Sequence, residues 1–146
     1  MKLKVEQIDK TEEEKVIVYC YNEEATWVHN IKDAALGQKS VCGYKNNALY
    51  KLRICDIYYF EVVDGTSFLY TQNDVYQARE KLYEFENATA RSSLFRCSKS
   101  MILNADKIDY VRPSVSGRFE AVLSNGEIVI VSRKYVMELK RLLSIE

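Results

Sequence analysis

Apolar and polar residues alternate along most of this 146-residue chain, and helical spacing interrupts them near residues 23–36, 75–86 and 133–143. Alternation with a period of two predicts strands with one face turned to a core. Lys2–Ile8 alternates through Leu3 and Val5 before slipping to Ile8, and Val16–Tyr21 is a second β-rich run. The acidic turn Asp9–Lys15 between them predicts a hairpin. Asn22 is placed to cap a helix from Glu23 to about Leu36, with two Glu residues in the first turn where the helix dipole favours acids. Val28, Ile31, Ala35 and Leu36 fall on one face of that helix, and Gly37 is its predicted stop. Residues 38–47 read as a connection into a strand near Val41–Tyr44, with Asn46-Asn47 as a turn.

From Ala48 onwards the pattern is densely β. Leu49–Leu52 is a short strand and Ile57–Val63 a strongly apolar one. Asp64-Gly65 then gives a type I′ hairpin signal, because both residues tolerate positive φ. Thr66–Thr71 is the returning strand, and Asn73-Asp74 marks a further turn. Val75–Glu86 fits two readings: one helix face through Val75, Ala78, Leu82 and Phe85, or a strand over Val75–Arg79 feeding a short helix. Periodicity does not choose between them. Ile108–Arg112 is a strand ended by Pro113, and Ser114–Gly117 is a loop. Phe119–Leu123 and Ile128–Val131 flank Asn125-Gly126, the strongest hairpin signal in the chain. Ser132 is placed to cap a closing helix whose apolar face is Val136, Leu139, Leu142 and Leu143. Arg133 and Lys134 then stand in its first turn.

Composition places the chain among folded domains. Hydrophobic residues make up 47% and charged residues 29%, too apolar for disorder, and the eleven Tyr lean it towards β structure. The length suits one well-cored domain, or a small domain with an appendage. MKLKVEQIDK lacks the apolar core of a signal peptide. Cys20, Cys42, Cys55 and Cys97 are scattered without a C-x-x-C pair, which predicts reduced thiols and a cytoplasmic location.

The net charge is zero, but it is unevenly spread. Residues 1–90 hold 11 basic and 15 acidic side chains, a balance of −4, whereas residues 91–146 hold 10 and 6, a balance of +4. Such asymmetry points to a polyanion-binding face. The basic half contains FRCSKSMILN (Phe95–Asn104) and VSRKY (Val131–Tyr135), which interleave Arg96, Lys99, Arg133 and Lys134 with Ser98, Ser100, Asn104 and Ser132. Arg and Lys neutralise phosphates, and Ser and Asn hydrogen-bond to phosphate oxygens and base edges. Basic residues are electrostatically disfavoured at a helix start, so Arg133 and Lys134 there point to an anionic partner.

Catalytic chemistry finds little support. His29 is the only His, sits in the acidic half and is accompanied by no nucleophile motif. Paired His or Cys spacing for zinc is absent, as is a glycine loop for phosphates. The chain reads as a non-enzyme without a cofactor. Tyr58, Tyr59, Phe60 and Phe68 suggest a base-stacking platform, but alternating with Ile57 and Val63 in a strand they read better as core and cross-strand packing. Asn104 reads better as a turn or cap residue than as a DNA contact.

From about Ala48 to Leu143 the chain resembles the LytTR-type DNA-binding domain of bacterial transcription regulators. The matching blocks are DIYYFEVVDG (Asp56–Gly65), FRCSKSMILNADKI (Phe95–Ile108), FEAVLSNGEIVIVSRKYV (Phe119–Val136) and the closing helix. The middle block is the most specific, being similar to the family's F-R-x-x-x-S-x-x-V-N-x-x-x-I run. The resemblance implies a mainly β, elongated antiparallel fold of about ten strands with a C-terminal helix. It also implies that Val75–Glu86 is a strand followed by a short helix. The whole chain looks like a stand-alone subgroup in which a short N-terminal β-β-α segment, residues 1–45, replaces a receiver domain and residues 46–146 form the DNA-binding domain.

The same resemblance implies loops inserted into successive major grooves of bent, double-stranded DNA, and commonly a homodimer on repeated half-sites. Its base-contact positions correspond to Ser67, Lys99 and Arg133. Arg133 is the strongest candidate, because its fork suits both guanine acceptors. Ser67 stands where a His is common and is shorter. Arg96, Ser98, Ser100, Lys107 and Lys134 are then phosphate contacts that set register. A second reading is an interaction module that modulates another regulator or a membrane-protein partner without touching DNA, since stand-alone members resemble parts of small regulatory cassettes.

Overall fold

The computed structural model describes residues 1–36, 40–90 and 92–145. Contacts divide the chain into two units, Met1–Gly37 and Gln38–Glu146. The strand at Ser40–Lys45 pairs with the one that follows it and so belongs to the second unit.

In the first unit the only regular element among the described residues is α1 (Thr26–Leu36). Asn22 accepts from the Glu24 N–H at 2.9 Å, a local turn upstream of the helix, so α1 begins three residues later than expected. Val28 is buried, as its place on the apolar face predicts. Gly37, the expected stop, lies outside the described residues. The expected hairpin does not form. Asp9 does make the turn, its carboxylate accepting from the Thr11 N–H and hydroxyl at 3.0 and 2.8 Å, but Lys2–Ile8 and Val16–Tyr21 form no strands. A lone two-stranded hairpin is marginal in water. Here Leu3, Val5 and Tyr19 stay 91%, 83% and 91% exposed, so pairing would bury no apolar face.

The second unit is mainly antiparallel β, as expected. β1 (Ser40–Lys45) and β2 (Ala48–Arg53) meet at Asn46-Asn47, with φ of 51° and 61°. β3 (Tyr59–Val63) and β4 (Thr66–Tyr70) meet at Asp64-Gly65, with φ of 50° and 78°, the left-handed pair a type I′ turn requires. β5 (Val75–Ala78) precedes α2 (Leu82–Ala88), which settles the ambiguous stretch as strand then helix. β6 (Leu94–Arg96), β7 (Met101–Asn104), β8 (Ile108–Pro113), β9 (Phe119–Leu123), β10 (Ile128–Val131) and α3 (Val136–Leu142) complete the unit. The order β2-β1-β5-β4-β3-β7-β6 makes one sheet, and β10-β9-β8 makes another. Pro113 ends an edge strand, where its missing N–H costs no ladder bond. The Asn125-Gly126 hairpin forms with Gly126 alone at positive φ, 89°, while the Leu123 N–H bonds to the Glu127 carbonyl at 2.8 Å. It is the longer loop with a glycine bulge, not a two-residue turn.

The larger sheet is covered on both faces. Phe60, Leu69, Ile102, Tyr76 and Ala78 pack with Phe85 of α2 in one core. Tyr59, Leu103 and Phe95 face the other way, into a core closed by Val129 and Val131 of β10 and Leu139 of α3. Neighbours Tyr59 and Phe60 thus serve opposite cores, as the two-residue period demands. Both rings stack internally, Tyr59 on Tyr70 at 4.2 Å and Phe60 on Phe85 at 4.3 Å, which favours packing over a base platform. Asn104 is buried: its Nδ2 donates to the Ile57 carbonyl at 2.8 Å, and its Oδ1 accepts from Ser93 Oγ and the Asp106 N–H at 2.7 and 3.0 Å.

Candidate nucleic-acid interface

Three connections emerge at one end of the second unit. They are the β3–β4 turn at Asp64-Gly65, the β6–β7 loop over Ser98–Ser100, and the turn after β10 that starts at Ser132. Backbone bonds lash them side by side. The Val62 N–H donates to the Ser100 carbonyl and the Ser132 N–H to the Cys97 carbonyl, each at 2.9 Å.

The Ser98–Ser100 loop is held from within. Cys97 and Ser98 both donate backbone N–H groups to the Met101 carbonyl, at 3.1 and 3.4 Å, and the Ser100 N–H donates to Ser98 Oγ at 3.3 Å. Arg96 supplies the main clamp. Its Nε donates to the Ser98 carbonyl and an Nη to the Lys99 carbonyl, both at 2.7 Å, while its other Nη lies 3.6 Å from Glu86 of α2. Arg96 therefore shapes the loop from behind, where the sequence suggested a phosphate contact. Lys99 stands exposed at the tip with no ion pair to any described residue.

The turn after β10 departs from the expected helix start. Arg133–Tyr135 is a single tight turn and α3 begins only at Val136. Ser132 occupies the cap position but makes no side-chain capping bond; the Tyr135 N–H bonds to its carbonyl at 2.8 Å instead. Arg133 and Lys134 are exposed, and Lys134 Nζ lies 5.5 Å from the Tyr135 ring centre. The apolar face of α3 is as expected, with Leu139 buried and Val136, Leu142 and Leu143 packed on the core.

Two expected site residues are not brought to this surface. Ser67 is 7% exposed and its hydroxyl donates to the Glu80 carbonyl at 2.7 Å. As the second residue of β4 it takes the inward phase of the alternation. Lys107 lies past the far end of β7, beyond four strand residues that span about 13 Å. Its carbonyl accepts from the Ser124 N–H, and its Nζ lies 5.2 Å from the Tyr58 ring centre. The structure thus groups Ser98, Lys99, Ser100, Arg133 and Lys134, with Arg96 behind them.

It also adds Arg118, which the sequence reading missed. Arg118 closes the β8–β9 loop and is exposed. It lines a shallow cleft with Glu61, Ser98, Met101, Ile130 and Ser132. Its one signal in sequence was a basic residue beside Gly117 in a loop between strands. Two acidic groups also mark this cleft. Burial, then the nearby Glu127 carboxylate, raise the pKa of Glu61. Burial, then hydrogen bonding to Glu127 at 2.7 Å, raise that of Tyr59. Burial pushes the Cys97 thiol up to about 12, so it stays protonated and inert beneath the loop.

Comparisons with known proteins agree with this fold. Residues 47–144 match the model of the LytTr DNA-binding domain, a match that starts in the β1–β2 turn. Sensory transduction protein LytT of Bacillus anthracis is 32% identical over 94 residues, 64% of this chain and 38% of that protein. Transcriptional regulatory protein YpdB of Escherichia coli K12 is 29% identical over 100 residues, 68% of this chain and 41% of the relative. The chain thus spans about two fifths of the length of these relatives. A solved LytTr DNA-binding domain from Bacillus cereus superposes with a TM-score of 0.69 at 25% identity, over 75% of this chain and all of the other. The chain belongs to the LytTr DNA-binding domain family.

Proposed function

We propose that this chain is a sequence-specific, double-stranded DNA-binding transcription regulator that works as a homodimer in the cytoplasm. One observation carries the reading. Lys99 and Arg133 stand exposed on two turns that the Ser132-to-Cys97 bond holds together, with the loop under Lys99 fixed by Arg96. Turns held this rigidly lose little freedom on binding, which is what base reading by loops in a major groove needs. In this reading Arg133 takes guanine O6 and N7, and Lys99 reads a neighbouring base. Ser98, Ser100, Lys134 and Arg118 hold phosphates and set the register. The kinship with proteins named as a transcriptional regulator and a sensory transduction protein supports the same role.

The test is fluorescence anisotropy on duplex DNA from the promoter of its own gene, against a scrambled duplex, at two salt concentrations, with Arg133→Ala alongside. The expected result is promoter preference, weaker binding at higher salt, and a loss of roughly 1–3 kcal/mol in the mutant at one base position. An equal loss on every sequence would make Arg133 a phosphate contact. Absence of binding to either duplex at low salt would favour the interaction-module reading, in which this surface meets a protein.

A further inference from the structure

The β8–β9 loop sits directly under the stem of Arg133. Ser116 and Gly117 are consecutive left-handed residues, with φ of 59° and 74°. The Ser114 N–H bonds to the Arg118 carbonyl at 2.8 Å and the Arg118 N–H to the Val115 carbonyl at 3.2 Å, so both ends of the loop are tied. A Cβ built on Gly117 would meet Arg133 Cδ at 3.1 Å and Cγ at 3.3 Å, tighter than ordinary contact. A side chain at Gly117 would thus meet a backbone angle that side chains rarely adopt, and would have to push the Arg133 stem aside by a few tenths of an ångström. The guanidinium beyond that stem is exposed and makes no ion pair with a described residue.

We propose that Gly117 is a positioning residue for DNA discrimination, forming with Ser116 the floor that aims Arg133 outward. This rests on the reading of Arg133 as a base contact. A free arginine samples many rotamers and must be ordered on binding, whereas a stem seated against a tied loop has part of that ordering done. Bidentate pairing with guanine also tolerates little displacement, since both bonds must form at once.

The experiment begins by selecting a preferred duplex from a random pool with the wild-type protein. Discrimination is then measured as the ratio of Kd on scrambled to selected DNA. The variants are Gly117→Ala, Gly117→Asn, Arg133→Ala and the double variant G117A/R133A, each with its thermal midpoint. Asn tolerates positive φ far better than Ala while still carrying the intruding Cβ, so it separates backbone strain from displacement of Arg133. Both Gly117 variants should lower discrimination roughly threefold to tenfold, a share of the roughly 5- to 150-fold that one bidentate base contact is worth. Affinity for scrambled DNA should hold, and adding G117A to R133A should change discrimination less than twofold. An equal loss from G117A in both backgrounds, or full discrimination by G117N, would overturn the proposal while leaving DNA binding intact. A pool from which the wild type selects nothing, or an R133A that discriminates normally, would instead sink the base-contact reading, and this inference with it.

Discussion

Replacing Arg96 with Lys separates two roles that look alike in sequence. As a phosphate contact, Arg96 would need only its charge, and Lys would serve nearly as well. As the clamp described above, it needs its fork, because Nε and one Nη reach two successive carbonyls at 2.7 Å. A hydrogen bond from a charged donor contributes about 1.5–3 kcal/mol when well shielded. The Arg96 side chain is 24% exposed, so solvent weakens each bond, and Lys can remake one of the two. The net cost of Arg96→Lys should then be about 1–2 kcal/mol, a fall in Tm of roughly 4–15 °C for a unit of this size. The unclamped loop should also lose preference for a selected duplex while the salt dependence of binding stays unchanged. Thermal unfolding by circular dichroism and anisotropy titrations on two duplexes read both effects. A variant within about 1 °C of the wild type that keeps its discrimination would refute the clamp and restore the phosphate contact.

Asn104→Ala should destabilise the domain by about 2–4 kcal/mol in denaturant titration, because it strands the buried Ile57 carbonyl and removes the bonds to Ser93 and Asp106. Lys107→Ala should leave DNA affinity within about twofold and the salt slope unchanged, whereas Arg118→Ala should reduce that slope by roughly one phosphate contact, about 0.9 in log–log units. Glu61 should show a pH signature. Its folded pKa is raised above the ordinary 4.5, so just above pH 4.5 the native carboxyl still holds a proton that the unfolded chain has released. Stability therefore falls as pH rises through that window, and Glu61→Gln should raise Tm near neutral pH with the gain vanishing below about pH 4. An E61Q difference that grew on acidification would contradict the sign.

The fold was largely legible because alternation is a local signal of a local geometry. The turns at Asn46-Asn47, Asp64-Gly65 and Asn125-Gly126 announced themselves through residues that accept positive φ, and the strands between them followed. Val75–Glu86 defeated pattern reading for a physical reason. Ala78 and Phe85 reach the same core, one from a strand and one from a helix, so the apolar positions satisfy both periods. The first 25 residues erred the other way. Their alternation matches a hairpin, but strands form only where pairing buries a face, and Leu3, Val5 and Tyr19 bury nothing.

The site was legible as a set of residue types and illegible as a surface. Lys107 lies eight residues after Lys99 within one motif block, yet a single short strand carries it to the other end of the sheet. Ser67 takes the inward phase of β4, which turns its hydroxyl to the Glu80 carbonyl. Composition counts charges without telling which are already spent. In the basic half, Arg96 is engaged by two carbonyls, Arg112 by Glu120 and Arg141 by Glu138. Lys99, Arg118, Arg133 and Lys134 make no ion pair with a described residue, and all four are exposed where the Ser98–Ser100 loop, the β8–β9 loop and the turn after β10 converge. A chain of zero net charge can therefore gather basic groups on one surface: the carboxylates of Glu120 and Glu138 pair with arginines elsewhere, while these four cations stand on hydrogen-bonded turns beside the Glu61 and Glu127 carboxylates of the same cleft.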